Sequence, residues 1–302
     1  MSLTAEQLEA RKAGIGGSDA AAVAGLNPWC TPVDVYLDKI GQAQPVEEND
    51  AMYWGSTLED LVAAEYAKRT GHKIERRNQM IQHKQHPFML ANLDRVIVGQ
   101  DRGVGILECK TAGAYMKDQW GEPGSDKVPQ HYLVQVQHYL AVTGYQWAKM
   151  AVLIGGRDFR IYDIPRDEDR IEALIKIEGR FWLQNVTDRI APPVSNLEDV
   201  KSLFPDSVEQ EVTASPEIAM AAADLKVIRE QLKQLKSMES VTQAEIMEFM
   251  GDADTLALED GTKVATWKSQ VTRRVNMKSL QAAGIDLSPF KDESSSRVFR
   301  LK

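Results

Sequence analysis

Asp94, Glu108 and Lys110 are the side chains whose types and spacing best support a hydrolytic chemistry. Breaking a phosphodiester takes a divalent cation to neutralise the phosphate, an activated water, and help for the departing oxygen. Carboxylates provide the hard oxygen ligands that magnesium prefers. Asp94 lies in MLANLDRVIV and Glu108 in GILECK, two apolar runs that read as adjacent strands. Side chains alternate along a strand, so Glu108 and Lys110 share one face and Cys109 takes the other. In that arrangement Asp94 and Glu108 bind the cation and the Cys109 main-chain carbonyl adds a ligand. Lys110 lowers the pKa of the attacking water or steadies the charged transition state. Glu59, one helix earlier, is a further ligand through a water. A Glu-x-Lys triplet on an exposed strand is commonly surface charge. Its weight here comes from the acidic residue on the preceding strand and from Glu59 and Gln135 at fitting places in chain order.

Gln135 and Tyr139 are one helical turn apart and Tyr132 lies three residues before Gln135, so all three share a face able to meet a phosphate or a base edge. The histidines His72, His83, His86, His131 and His138 lack the paired spacing of zinc ligands and read as surface or core residues. Cys109, facing away from Glu108 and Lys110, reads as a core thiol rather than a nucleophile. Gly155-Gly156-Arg157 lacks the Gly-Lys-Ser/Thr ending of a phosphate-cradling loop, which argues against an ATP-driven enzyme.

The elements that must position these groups are legible in outline. A short helix, a Gly-rich turn and a small-residue helix capped by Ser18 or Asp19 open the chain, and Asn27-Pro28 ends the second helix. Thr31 to Ile40 reads as another short helix, and Ala51 to Arg69 as a longer one closed by Gly71. Met80 to His83, Met89 to Val98 and Val104 to Cys109 read as a β-meander. A helix from Pro129 to Thr143 follows, then strands Trp147 to Ile154 and Phe159 to Ile164, then a helix from Arg166 to Asn185. Residues 1–192 form the expected catalytic core, and the Pro-containing stretch 193–214 reads as a linker. In 215–302, Ile218, Ala221, Leu225, Ile228, Leu232 and Leu235 make a seam at three- and four-residue steps, expected to fold back on a neighbouring helix of the same chain rather than to form an intermolecular coil, the alternative. Thr255 to Met277 alternates around Asp260-Gly261, a hairpin turn.

The 302-residue chain is 43% hydrophobic and 26% charged, enough for a substantial core and ordinary for a globular protein. No run of eighteen apolar residues and no leader-like N-terminus is present, which sets the expected location as the cytoplasm. Two cysteines are too few for a disulfide framework, a four-cysteine zinc site or an iron–sulfur cluster. The net charge of -8 argues against a protein that coats nucleic acid through a broad basic surface. Local charge must hold any DNA, and residues 260–302 carry nine Lys and Arg against four Asp and Glu.

The order Gly55-x-x-x-Glu59, Asp94, Glu108-Cys109-Lys110, Gln135-x-x-x-Tyr139 resembles the PD-(D/E)xK nuclease superfamily, and within it the YqaJ-like viral recombinases related to lambda exonuclease. The phrases RKAGIGGSD, YWGSTLE and VQVQHY are similar to that group as well, and the likeness spans roughly residues 8 to 192. Leu93-Asp94 stands where the superfamily name has Pro-Asp. The resemblance implies an α/β protein of α+β type with a restriction-endonuclease-like core, a central mixed β-sheet flanked by helices, to which this chain adds a C-terminal helix and β-hairpin appendage. It implies a magnesium-dependent (or manganese-dependent) 5′-to-3′ exonuclease that degrades linear double-stranded DNA, working on DNA ends with a single-strand annealing protein as partner. A homo-oligomeric ring, a trimer by preference, is part of the same expectation. Arg11 and Ser18 match residues that hold a terminal 5′-phosphate, as a guanidinium beside Gly-rich backbone N–H groups would; the alternative is a plain tight turn and helix cap. Two further readings remain: an endonuclease or RecB-type repair nuclease, and a non-catalytic DNA- or protein-binding module.

Overall fold

The computed structural model describes residues 11–45, 47, 49–284, 286–291 and 296–301. The helix expected before Arg11 lies outside them. The chain divides into two compact units, residues 1–204 and 205–302.

The first unit runs α1 (Gly17–Val23), α2 (Pro32–Lys39), α3 (Asp50–Thr70), β1 (Lys73–Glu75), β2 (Ile81–Gln82), β3 (Leu90–Ala91), β4 (Arg95–Val98), β5 (Gly105–Ala112), α4 (Gln130–Thr143), β6 (Trp147–Ile154), β7 (Asp158–Pro165), α5 (Glu168–Arg180) and α6 (Leu197–Leu203). Five strands form one mixed sheet in the order β1-β4-β5-β6-β7. Only β5 and β6 are parallel, joined by a crossover that contains α4. The alternation of β5 decides its two faces. Leu107 and Cys109 pack with Val62, Ala63 and Tyr66 of α3, whereas Ile106 joins Val136 and Leu140 of α4. Gly71 and Gly144 end α3 and α4 in the left-handed conformation that glycine adopts without a Cβ penalty.

The meander is corrected in two respects. Met89 to Val98 is not one strand: β3 pairs with β2 as a separate ladder, and β4 starts afresh at Arg95. The break falls at residues 92–94, which frees the Asp94 side chain from a ladder. β1, which the sequence did not suggest, forms the edge against β4. Residues 197–203, inside the expected linker, fold as α6 on the first unit. There Asp199 is buried and accepts a 2.8 Å hydrogen bond from the Thr31 hydroxyl at the head of α2. The helix read from Arg166 to Asn185 is α5, prolonged by a π-helical turn from Phe181 to Thr187.

The second unit contains α7 (Pro216–Met250), the hairpin β8 (Thr255–Ala257) and β9 (Lys263–Thr266), and a short α8 (Met277–Ala282). The hairpin turns where Asp260-Gly261 predicts it. Among the described residues of this unit no second helix covers the seam of α7: Ile218, Ile228, Leu232 and Leu235 are exposed. None of the described helices is long and apolar enough to cross a membrane.

Candidate active site

The register of β4 against β5 pairs Arg95 with Leu107 and Val96 with Ile106. Extending it by one residue sets Asp94 across from Glu108, on the sheet face that α4 covers. Asp94 Oδ2 accepts a 2.8 Å hydrogen bond from the Cys109 N–H. Because one strand residue directs its N–H and C=O to the same edge, the Cys109 carbonyl also points to the Asp94 side. The Gly155 N–H bonded to the Ala112 carbonyl agrees, since it fixes the even residues of β5 toward β6.

Lys110 Nζ lies 2.8 Å from Glu108 Oε1 and 3.0 Å from Gln135 Oε1. Gln135 Nε2 donates to Glu108 Oε1 at 2.8 Å and to the Tyr139 hydroxyl at 3.1 Å. One amide from α4 thus locks the carboxylate and the ammonium of β5 together. Glu108 is 1% exposed, and its Oε2 is buried without a hydrogen-bond partner. Burial, and then the Glu108 charge, push the Asp94 carboxyl well above the usual carboxylate range. Burial works against the Lys110 charge, but Glu108 and Asp94 outweigh it and hold the ammonium above the ordinary lysine range. Crowding two carboxylates in a buried place disfavours their charged forms, and functional sites are enriched in such clusters.

The other expected residues lie around this cluster. Glu59 is near enough to raise the pKa of Asp94, but its carboxylate is engaged by Arg95 at 2.9 Å and lies 3.7 Å from Arg76. Among the described residues no three acidic, His or Cys side chains gather closely enough to hold an ion. Tyr139 is buried rather than facing a cleft, and its hydroxyl orients Gln135. Tyr132 is half-buried and presents its ring to the Lys110 ammonium at 4.8 Å from the ring centre. Cys109 packs in the α3 core, and its thiol pKa is raised by burial and then by Asp94, as a core thiol requires.

Arg11 and Ser18 do meet: the guanidinium donates to the Ser18 hydroxyl at 3.1 Å. Asp19, not Ser18, closes the turn by accepting from the Gly16 N–H at 2.9 Å. The turn is brought to the β5 cluster by Gly17, whose missing side chain makes room for Tyr139; a Cβ there would sit 2.4 Å from the ring.

Two neighbours of the candidate site escaped the sequence. Buried Arg95 bonds Glu59, Asp60 and the Asp94 main-chain carbonyl, which clamps the approach to β4. Buried Lys39 pairs with Asp19 at 2.8 Å and donates to the Arg11 carbonyl at 3.1 Å. Their only signals were adjacency to Asp94 and a cation on the apolar face of α2.

Along the sequence, residues 6–146 match the YqaJ-like viral recombinase domain. The Bacillus subtilis (strain 168) protein YqaJ is 37% identical over 308 residues, covering 98% of this chain and 93% of that protein. The chain belongs to the YqaJ-like viral recombinase family. A second relative, R354 of Acanthamoeba polyphaga mimivirus, is 27% identical over 145 residues, 46% of this chain and 26% of its own length. Among solved structures, the alkaline exonuclease LHK-Exo of Laribacter hongkongensis superposes with a TM-score of 0.50 at 22% identity, over 62% of this chain and 94% of that one. The core of this family member therefore shares the fold of that exonuclease: a mixed sheet flanked by helices.

Proposed function

We propose that this YqaJ-like protein hydrolyses the phosphodiesters of linear double-stranded DNA from the 5′ end, with magnesium (or manganese) held at Asp94 and Glu108. The observation that carries the reading is the convergence of Asp94, Glu108, Lys110 and Gln135 around a buried carboxylate oxygen that has no partner. The donor set fits a hard cation, which Asp94, Glu108 and the Cys109 carbonyl would hold. Glu59, held by Arg95 at 2.9 Å, stands outside these ligands and would reach an ion through a water. When bound, the cation neutralises phosphate charge and acidifies a water.

The chain's own groups do the rest. Lys110 directs a positive charge at the face shared with Glu108, where it stabilises the negative charge that builds on the phosphate. Gln135 sets the Lys110 rotamer and Tyr139 sets that of Gln135. Arg11 and Ser18 present a guanidinium and a hydroxyl for the terminal 5′-phosphate, with Lys39 fixing the backbone beneath them. The name of the fold relative LHK-Exo, an alkaline exonuclease, and the recombinase description of the family support a nuclease reading. Degradation from the 5′ end leaves 3′ overhangs for a single-strand annealing protein. A ring of subunits around DNA, a trimer by preference, would keep a net-negative chain on its substrate.

Incubation with magnesium and three DNAs tests the reading: a linear duplex with a 5′-phosphate, the same duplex with a 5′-hydroxyl, and a closed circle. Selective loss of the phosphorylated linear duplex is expected. Cutting of the circle indicates an endonuclease, and no degradation with either metal overturns the nuclease assignment.

A further inference from the structure

A line of rings leads outward from the Lys110 ammonium. Its Nζ lies 4.8 Å from the centre of the Tyr132 ring, Tyr132 lies 4.0 Å from His131, and His131 meets Trp29 edge to face at 5.0 Å and 86°. The line is at most roughly 14 Å long, about four nucleotide steps at 3.4 Å each. Trp29 stands in the loop between α1 and α2, the loop that follows the Arg11–Ser18 turn.

Trp29 is 64% exposed, so at least one face of its indole is open to water. Uncovered aromatic surface forfeits burial free energy of roughly 25 cal/mol per Å², and tryptophan with an open face is characteristic of recognition surfaces. The ring is nonetheless braced: His131, 8% exposed, supports it and leans on Tyr132. Burial, and then the Lys110 charge, lower the His131 pKa, which disfavours a charged ring in the brace. Its buried Nε2 has no hydrogen-bond partner. A rigid exposed indole beside a phosphate-handling lysine suits one ligand class above others. Nucleobases stack on aromatic faces whatever their identity, and their phosphates sit within a few ångströms.

We propose that Trp29, braced by His131, is a stacking shelf for an unpaired nucleobase at the DNA end; the inference rests on the nuclease reading above. The shelf orients the end without reading its sequence. It places a base beyond the scissile phosphate, where binding energy is used to hold the strand rather than to break it.

The test uses the full chain in EDTA, so that DNA is bound but not cut. The probe is a short 5′-phosphorylated duplex carrying 2-aminopurine at each of the four nucleotides nearest the 5′ end in turn. Wild type should quench the probe at one or more of these positions, Trp29→Phe should keep the quenching, and Trp29→Ala should lose it. Trp29→Ala should also weaken binding about 5- to 150-fold, the equivalent of the ~1–3 kcal/mol supplied by one stacked base. An abasic nucleotide at the quenched position should weaken wild-type binding by a similar factor and leave Trp29→Ala unaffected, a cycle that needs no assumption about the variant's fold. Equal binding and quenching by wild type and Trp29→Ala overturn the shelf while leaving the nuclease reading standing. An abasic site without effect on wild type does the same. Wild type that binds no duplex overturns both.

Discussion

Asp94 Oδ2 takes a 2.8 Å hydrogen bond from the main-chain N–H of Cys109, the residue between Glu108 and Lys110. The bond fixes the one carboxylate that lies outside a ladder against the strand that carries the other two groups. It also leaves the proposed ion site dependent on a side chain whose charge is disfavoured by burial and by Glu108.

Magnesium should therefore stabilise the protein. At a concentration 100-fold above its dissociation constant a ligand adds ~2.7 kcal/mol, which for a unit of this size raises the melting midpoint by about 5–10 °C. Asp94→Asn keeps an oxygen for the Cys109 N–H but removes the charge, so its midpoint should not respond to the metal. Differential scanning calorimetry with and without magnesium reads both; an equal shift in the variant removes Asp94 from the ligands.

Arg11→Ala should abolish discrimination between 5′-phosphorylated and 5′-hydroxyl duplexes while slowing the hydroxyl substrate little, because the guanidinium meets Ser18 rather than the β5 cluster. Loss of a charged pair to phosphate is worth ~1.5–3 kcal/mol, or about 10- to 150-fold in the ratio of the two rates. Competition between the two ends in one tube measures it, and an unchanged ratio discards the pocket.

Gly17→Ala places a Cβ 2.4 Å from the Tyr139 ring, which is buried and cannot swing away. Forcing a methyl into a packed site costs ~1–3 kcal/mol, and here the displaced ring also releases Gln135. Denaturant unfolding should show the loss of stability, and turnover should fall with it. A variant as stable and active as wild type contradicts the packing of the turn on α4.

His138 is fully buried between Glu178, 3.0 Å from Nδ1, and the Leu90 carbonyl, 2.9 Å from Nε2. Burial alone would lower its pKa, but Glu178 and the hydrogen bonds raise it above the ordinary value. The folded state then holds its proton more tightly than the unfolded chain does. This contribution is complete below about pH 6.5 and is lost as pH rises through the raised value. Urea midpoints across that range should fall for wild type and flatten in His138→Gln; a wild-type midpoint that climbs through the same range contradicts the assignment.

The sequence carried the strand and helix skeleton well where it rests on periodicity. Glu108 and Lys110 share a face because alternation is a local rule, and α4 begins and ends within a residue of its predicted bounds. The pairing of Glu59 with Arg95 and of Lys39 with Asp19 was hidden because each joins distant segments across the fold. A run such as Met89 to Val98 gives no local sign that its two ends belong to different ladders. Tyr139 illustrates the same limit: its spacing from Gln135 set the contact between them, but its burial came from Gly17 of another helix.

The most direct trial of the account compares nucleotide release from a 5′-phosphorylated linear duplex in magnesium by wild type and by Glu108→Gln. The variant replaces the buried carboxylate with an isosteric amide and should fold as well as wild type. Wild type should degrade the duplex, and Glu108→Gln should be slower by about 10²- to 10⁴-fold, the range typical of a removed catalytic group. Equal rates from two equally folded proteins would contradict the assignment of hydrolysis to this cluster.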